Sequence, residues 1–201
     1  MIYNTECRLP YIKPEEMTAK QKEFYDIHMK AFQTMPYVWL TENKELNGPS
    51  NLFCHEVDLG MEFLPLNRDI IAADIARNGA KAHEIAVLVT VTAAKGQYGM
   101  YAHTMLGKSF GLTDEQISSI MAGIKPVDLE EKESAAYDLA VALNGVGAIP
   151  GAVYDHCVAV LGQEGFNGIV LAVGMFKLVG TVLNAFNEPV PEYRQEESKN
   201  G

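Results

Sequence analysis

The chain has 201 residues, 48% of them hydrophobic, which suits one domain with a full core. Its formal charge of −10 opposes polyphosphate and anionic lipid, which need Lys and Arg to neutralise them, so neither nucleic acid nor a membrane is an expected partner. Cys7, Cys54 and Cys157 are scattered and without C-x-x-C spacing, which argues against a disulfide framework and a zinc site.

Residues 1–16, with Pro10 and Pro14, read as an extended arm over the surface, of a kind that often contacts a neighbouring subunit. They hold no apolar core of signal-peptide length and carry acids early, so the expected setting is reducing and cytoplasmic. A single helical domain is expected over residues 17–192. Thr18 and Gln21 form a T-x-x-Q capping box, and Phe24, Tyr25, Ile27, His28, Ala31 and Phe32 give a first helix that Pro36 ends, with His28 half-exposed. An N-G-P turn at Asn47–Pro49 precedes a helix that Ser50 or Asn51 can cap, with Cys54 as a small core residue. His55 and Glu56 are adjacent and point about 100° apart on a helix, so they make no metal pair, and no metal site is expected. Pro65 reads as an interruption. The helix after it carries a surface pair, Asp74 with Arg77, and ends at Asn78-Gly79; His83 is expected to be exposed.

The stretch from His83 to Gly123 is the most informative. Ile85, Leu88, Val89 and Thr92 recur at helical spacing, Gly96 breaks the run, and Met100, Leu106, Gly107 and Phe110 resume it. Gly111 reads as a left-handed C-cap, and Thr113 with Gln116 starts a further helix ending at Gly123. Polar residues sit where apolar ones would be expected: Glu84 on the first helix, and Gln97, Tyr98, Tyr101 and His103 on the second. They offer a carboxyl, an amide, two phenols and an imidazole.

Beyond Gly123, Asp128 and Glu131 can cap a helix that Asn144-Gly145 stops. Pro150 opens the next, closed by Gly162 or Gly165; its His156 and Cys157 are neighbours in sequence only. The helix from Asn167 to Asn187 is nearly long enough to span a bilayer, but Lys177 at its middle would be costly in lipid, so it is expected as the central core helix of a soluble bundle. Lys177, Thr181 and Asn184 fall at i, i+4 and i+7. That stripe fits either a subunit interface or surface strip, or a pocket wall. Residues 193–201 read as a polar, frayed tail.

E-I-A-V-L from Glu84, followed by G-Q-Y-G-M-Y-A-H from Gly96 to His103 and G-x-x-x-G-L-T-x-E-x-I, resembles the signature of the carboxymuconolactone decarboxylase-like family, which shares its fold with alkylhydroperoxidase D. N-G-P-S-N from Asn47 and L-N-A-F-x-x-P-x-P from Leu183 are similar to the family's other motifs. The resemblance implies an all-α, AhpD-like bundle of about eight helices and assembly as a trimer or a multiple of one. It also implies a site made of His103, Glu84 and Tyr101 as catalytic residues, with Gln97, Tyr98, Gly99, Asn51, His55 and Asn184 binding substrate.

In the peroxidase branch of the family two cysteines would fall at Gly96 and Gly99, and in the decarboxylase branch a glutamate would fall at Gly99. Without either, the expected activity is that of a cofactor-free lyase, decarboxylase or isomerase acting on a small acidic or lactone-like compound, with His103 as general acid or base. A non-catalytic small-molecule binder or assembly protein is the alternative, and hydroperoxide reduction a lesser one, because no thiol stands at the family positions. A glycine at position 99 would leave room for a larger ligand.

Overall fold

The computed structural model describes residues 6–191, and among them the chain forms eight α-helices and no strand, preceded by a short 3-10 turn at Pro14–Glu16. The expected all-α bundle of about eight helices is what these residues build. The tail expected over 193–201 lies outside the described residues.

Several helices start where local chemistry says they should. α1 (Ala19–Phe32) opens on the Thr18–Gln21 capping box and α6 (Asp114–Met121) on the Thr113–Gln116 box, each side chain accepting from the N3 backbone amide. α7 (Glu131–Asn144) begins later than expected: its cap residue is Glu130, whose backbone N–H donates to Glu133 Oε2 at 3.1 Å. At α2 (Pro49–His55) neither Ser50 nor Asn51 caps. The N-cap is Gly48 at φ 64°, where a Cβ would stand 2.6 Å from the Tyr98 ring, so glycine is required both by the backbone and by the close approach of α5.

α3 (Val57–Asn78) runs straight through Pro65. The expected interruption fails because the ring lies on the exposed face and removes one backbone hydrogen bond, a loss of about 3 kcal/mol that packing of α3 on α1, α2, α4 and α8 offsets. Burial also overturns three expectations about polar residues. His28 is fully buried, with Nε2 3.2 Å from Ser50 Oγ and its ring stacked on Phe32 at 3.9 Å. His83 is 2% exposed, not solvated, with Nδ1 2.6 Å from Asp74 Oδ2. Asp74, 0% exposed, therefore pairs with His83 and with Asn78 Nδ2 at 2.6 Å, while Arg77 reaches the Glu164 carbonyl instead.

The centre of the bundle is α4 (Ala80–Ala94), buried without a gap from Ala82 to Val91 and packed by α3, α5, α6, α7 and α8. α5 (Gln97–Ser109) lies against it. The last helix, α8 (Gly151–Phe186), was expected in that central place and is instead half covered: Ile169, Ala172, Val173, Phe176 and Leu183 face the core, while Leu171, Lys177, Leu178 and Thr181 are exposed. Gly162, at φ 70°, breaks α8 into two straight pieces, which is the stop anticipated there. By length and composition α8 is the one described helix that could cross a membrane.

Two glycines let α8 approach α3. A Cβ at Gly168 would lie 2.6 Å from Asp74 Oδ1, and one at Gly165 would collide with Asn78 Oδ1; Asn78 Nδ2 also donates to the Gly165 carbonyl at 2.8 Å. The N-terminal arm lies over its own chain. Arg8 N donates to Phe186 O at 2.7 Å, and Glu188 accepts from Cys7 Sγ, Tyr11 Oη and Gly48 N at 3.0, 2.9 and 2.8 Å.

Candidate active site

Glu84 and His103 meet because α4 and α5 pack face to face, which brings residues 19 apart in sequence within hydrogen-bond reach. His103 Nδ1 is 2.8 Å from Glu84 Oε1, with the two side chains 12% and 1% exposed. A carboxylate opposite Nδ1 assigns the proton to that nitrogen and leaves the Nε2 lone pair outward. Phe176 from α8 closes one side of the imidazole, edge-on at 4.8 Å between ring centroids. Among the described residues Nε2 has no hydrogen-bond partner, nor is it among the polar atoms sealed away without one, so it opens onto accessible space.

A third phenol joins this pair. Tyr37, in the loop between α1 and α2, packs in one group with Tyr98, Tyr101 and Phe176, its ring edge-on to Tyr98 at 6.5 Å. Burial, and secondarily the negative charge of Glu84, pushes its hydroxyl well above the ordinary phenol range, so it stays protonated as a donor. That hydroxyl, like Nε2, has no partner among the described residues and is not sealed. Reading the sequence missed Tyr37 because it lies in a loop, outside any helical period. The aromatic run Y-V-W before the N-G-P turn was the one available sign.

The loop is held in place from α5. Tyr98 Oη donates toward Asn47 Oδ1 at 2.9 Å and Val38 O at 3.1 Å, and Val38 N donates to Tyr101 Oη at 3.1 Å. Tyr98 is thus engaged structurally, and burial holds its hydroxyl well above the ordinary phenol range. Tyr101 keeps its own proton free to donate.

The other residues singled out from sequence lie elsewhere. Gln97 is exposed on the first turn of α5. Gly99 opens no room: a Cβ there would sit 3.3 Å from Val91 and 3.6 Å from Leu183, so the glycine is filled by close packing of α4 and α8. Asn184 donates to the Ala94 carbonyl at 2.6 Å, satisfying an orphan group at the end of α4. Asn51 and His55 hold the arm, through Leu9 O at 3.0 Å and Pro10 O at 2.8 Å. Asn51 also lines, with Leu9, Gly48, Leu183 and Glu188, a crevice too narrow for water. Cys7 and Cys54 are pushed up to about 11, in both cases chiefly by burial, which leaves their thiols protonated at neutral pH.

Fold and site together define an all-α protein with a buried carboxylate–imidazole pair beside a cluster of phenols. No protein-family model matches the chain, and neither a curated protein nor a solved structure shows significant similarity to it.

Proposed function

We propose that this chain is a carboxymuconolactone decarboxylase-like enzyme, a cofactor-free lyase or isomerase in which His103 moves protons to and from a small acidic or lactone-like carbonyl compound. The observation that carries the reading is the 2.8 Å pairing of His103 Nδ1 with a sealed Glu84, which leaves Nε2 unpartnered and outward. Glu84 holds the tautomer and stabilises the imidazolium that forms when Nε2 accepts a proton. Removing a proton next to a carbonyl, or losing carbon dioxide there, builds an enolate; a protonated phenol, Tyr37 or Tyr101, can donate to its oxygen.

Hydroperoxide reduction has little support, since the Cys7 and Cys54 thiols are held protonated at neutral pH and so make poor nucleophiles. The rival reading is a non-catalytic binder. Turnover measured on a panel of β-keto acids and muconolactones separates the two. Activity should fall by about 10²-fold or more in His103→Ala; turnover indifferent to that substitution, or none on any substrate, ends the enzyme reading. The same reading makes the protein a cytoplasmic homo-oligomer, a trimer or a multiple of one, and the outward Leu171 and Leu178 of α8 support burial against another copy.

A further inference from the structure

We infer that the His103 site takes an uncharged carbonyl compound, such as a lactone, enone or ester, in preference to a carboxylate, and that its reaction is a proton shift between carbons and not decarboxylation. This rests on the reading of His103 and Glu84 as the acid–base pair and narrows it to one of its substrate classes.

The argument is a charge inventory of the elements that wall the site. Glu84 is 99% hidden and carries the formal negative charge that meets the imidazole; His103 is its partner. With the imidazole neutral the pair sums to −1, and with it protonated to zero. An anionic ligand therefore enters a place with no positive charge to spare, and a buried unpaired anion is strongly disfavoured. The basic side chains of α3, α4, α5 and α8 are committed elsewhere. Arg68 pairs with Asp69, Lys81 with Glu133 and Lys108 with Asp114, while Arg77 and Lys177 donate to the carbonyls of Glu164 and Leu143. Lys95 follows α4 at its far end, about 16 Å of helix rise from Glu84. Lys44, in the loop between α1 and α2, is exposed in the turn whose ends pair at Leu40 and Leu46.

The walls themselves suit a flat, apolar body. Tyr37, Phe63 and Tyr101 pack against the same cluster as Phe176, whose ring stands edge-on to His103, and the polar atoms left without partners are a base, Nε2, and a neutral donor, the Tyr37 hydroxyl. The charged groups that perturb Tyr37 and Tyr98 are all acidic, none basic. A ligand carbonyl oxygen matches a phenol O–H, and an acidic C–H matches Nε2.

The step these groups support is balanced without a co-reactant. In a β,γ-unsaturated lactone, ketone or ester, Nε2 takes a proton from the carbon α to the carbonyl. The C–H electron pair becomes the enolate, whose oxygen accepts from the phenol. The imidazolium then returns its proton to the γ carbon, leaving the double bond shifted by one position and His103 as it began.

The test is binding, independent of turnover. Wild-type protein labelled for imidazole NMR is titrated at neutral pH with methyl cinnamate and, separately, with cinnamate. The ester should move the His103 signals with a Kd at least about tenfold below that of the acid, since the acid must bury an uncompensated charge. Glu84→Gln, which removes the excluding charge at constant shape, should narrow that ratio. Equal or tighter binding of cinnamate, no shift of His103 with either compound, or an unchanged ratio in a folded Glu84→Gln variant overturns the inference; should the variant not fold, the wild-type ratio decides alone. Selective ester binding with no His103-dependent turnover would sink the enzymatic reading and the proton shift with it, leaving the ligand preference alone standing. Turnover of a tightly bound β-keto acid would do the reverse.

Discussion

A carboxylate taken out of water carries a penalty of several kcal/mol unless it is paired, and Glu84, at 1% exposure, finds its pair in His103 across two helices. The pairing makes the two residues one unit. Glu84→Gln should therefore keep the fold while lowering turnover by about 10²-fold, because the amide no longer favours the tautomer with Nε2 free; steady-state rates beside circular dichroism check this. His28 gives a second prediction, on stability. Burial holds its imidazole down to about 4, against 6.5 when unfolded. Above pH 6.5 both states are neutral and the folded protein bears no penalty; as pH falls through that value the unfolded state gains a proton that the folded state refuses until about pH 4. Urea unfolding should lose about 3 kcal/mol across that window, a loss absent from His28→Leu after the slope common to both proteins is subtracted.

Among the elements, the contact of α3 with α8 is the least forgiving. Gly168→Ala would drive a methyl to within 2.6 Å of Asp74 Oδ1 in a fully buried network and should cost about 1–3 kcal/mol in thermal or urea unfolding. Gly174→Ala, on the same helix with nothing within 4 Å, should be neutral or stabilising by up to about 1 kcal/mol. Equal effects of the two would remove the close approach as the cause. What could be read from sequence follows the same division. The Thr18 and Thr113 boxes, the Asn144-Gly145 stop and the break at Gly162 depend on residues close in sequence, and the chain shows them openly. The helix continuing past Pro65, the burial of His28 and His83, and the pairing of Asp74 depend on which helix lands on which, and no local pattern carries that. Within the site, Glu84 and His103 were legible because helical periodicity marks a polar residue on an apolar face. Tyr37 was not, because two hydroxyls from α5, 60 and 63 positions beyond its neighbour Val38, are what bring its loop against α5.

For the whole molecule, the half-covered α8 is the feature that bears on association. Leu171 and Leu178, at 52% and 48% exposure, stand two turns apart on one side of the helix, and a second copy is the partner proposed for them. Light scattering after size exclusion should give a trimer or a multiple of it, and Leu171→Asp with Leu178→Asp should return a folded monomer; a wild-type monomer at micromolar concentration would refute the assembly.

The arm fastened to Glu188 has a consequence for connectivity. Because residues 7, 8 and 11 bond to residues 186 and 188, the two termini of the described chain leave the molecule at one corner. A gene rearranged so that a short flexible linker joins them, and reopened in the solvent-facing turn at Gly147, would change the order in which the helices emerge from the ribosome while asking little of the finished architecture. Such a circular permutant should fold and keep the imidazole–carboxylate pair. A permutant cut between Cys7 and Tyr11 should not, since it would separate the donors that a sequestered acid needs.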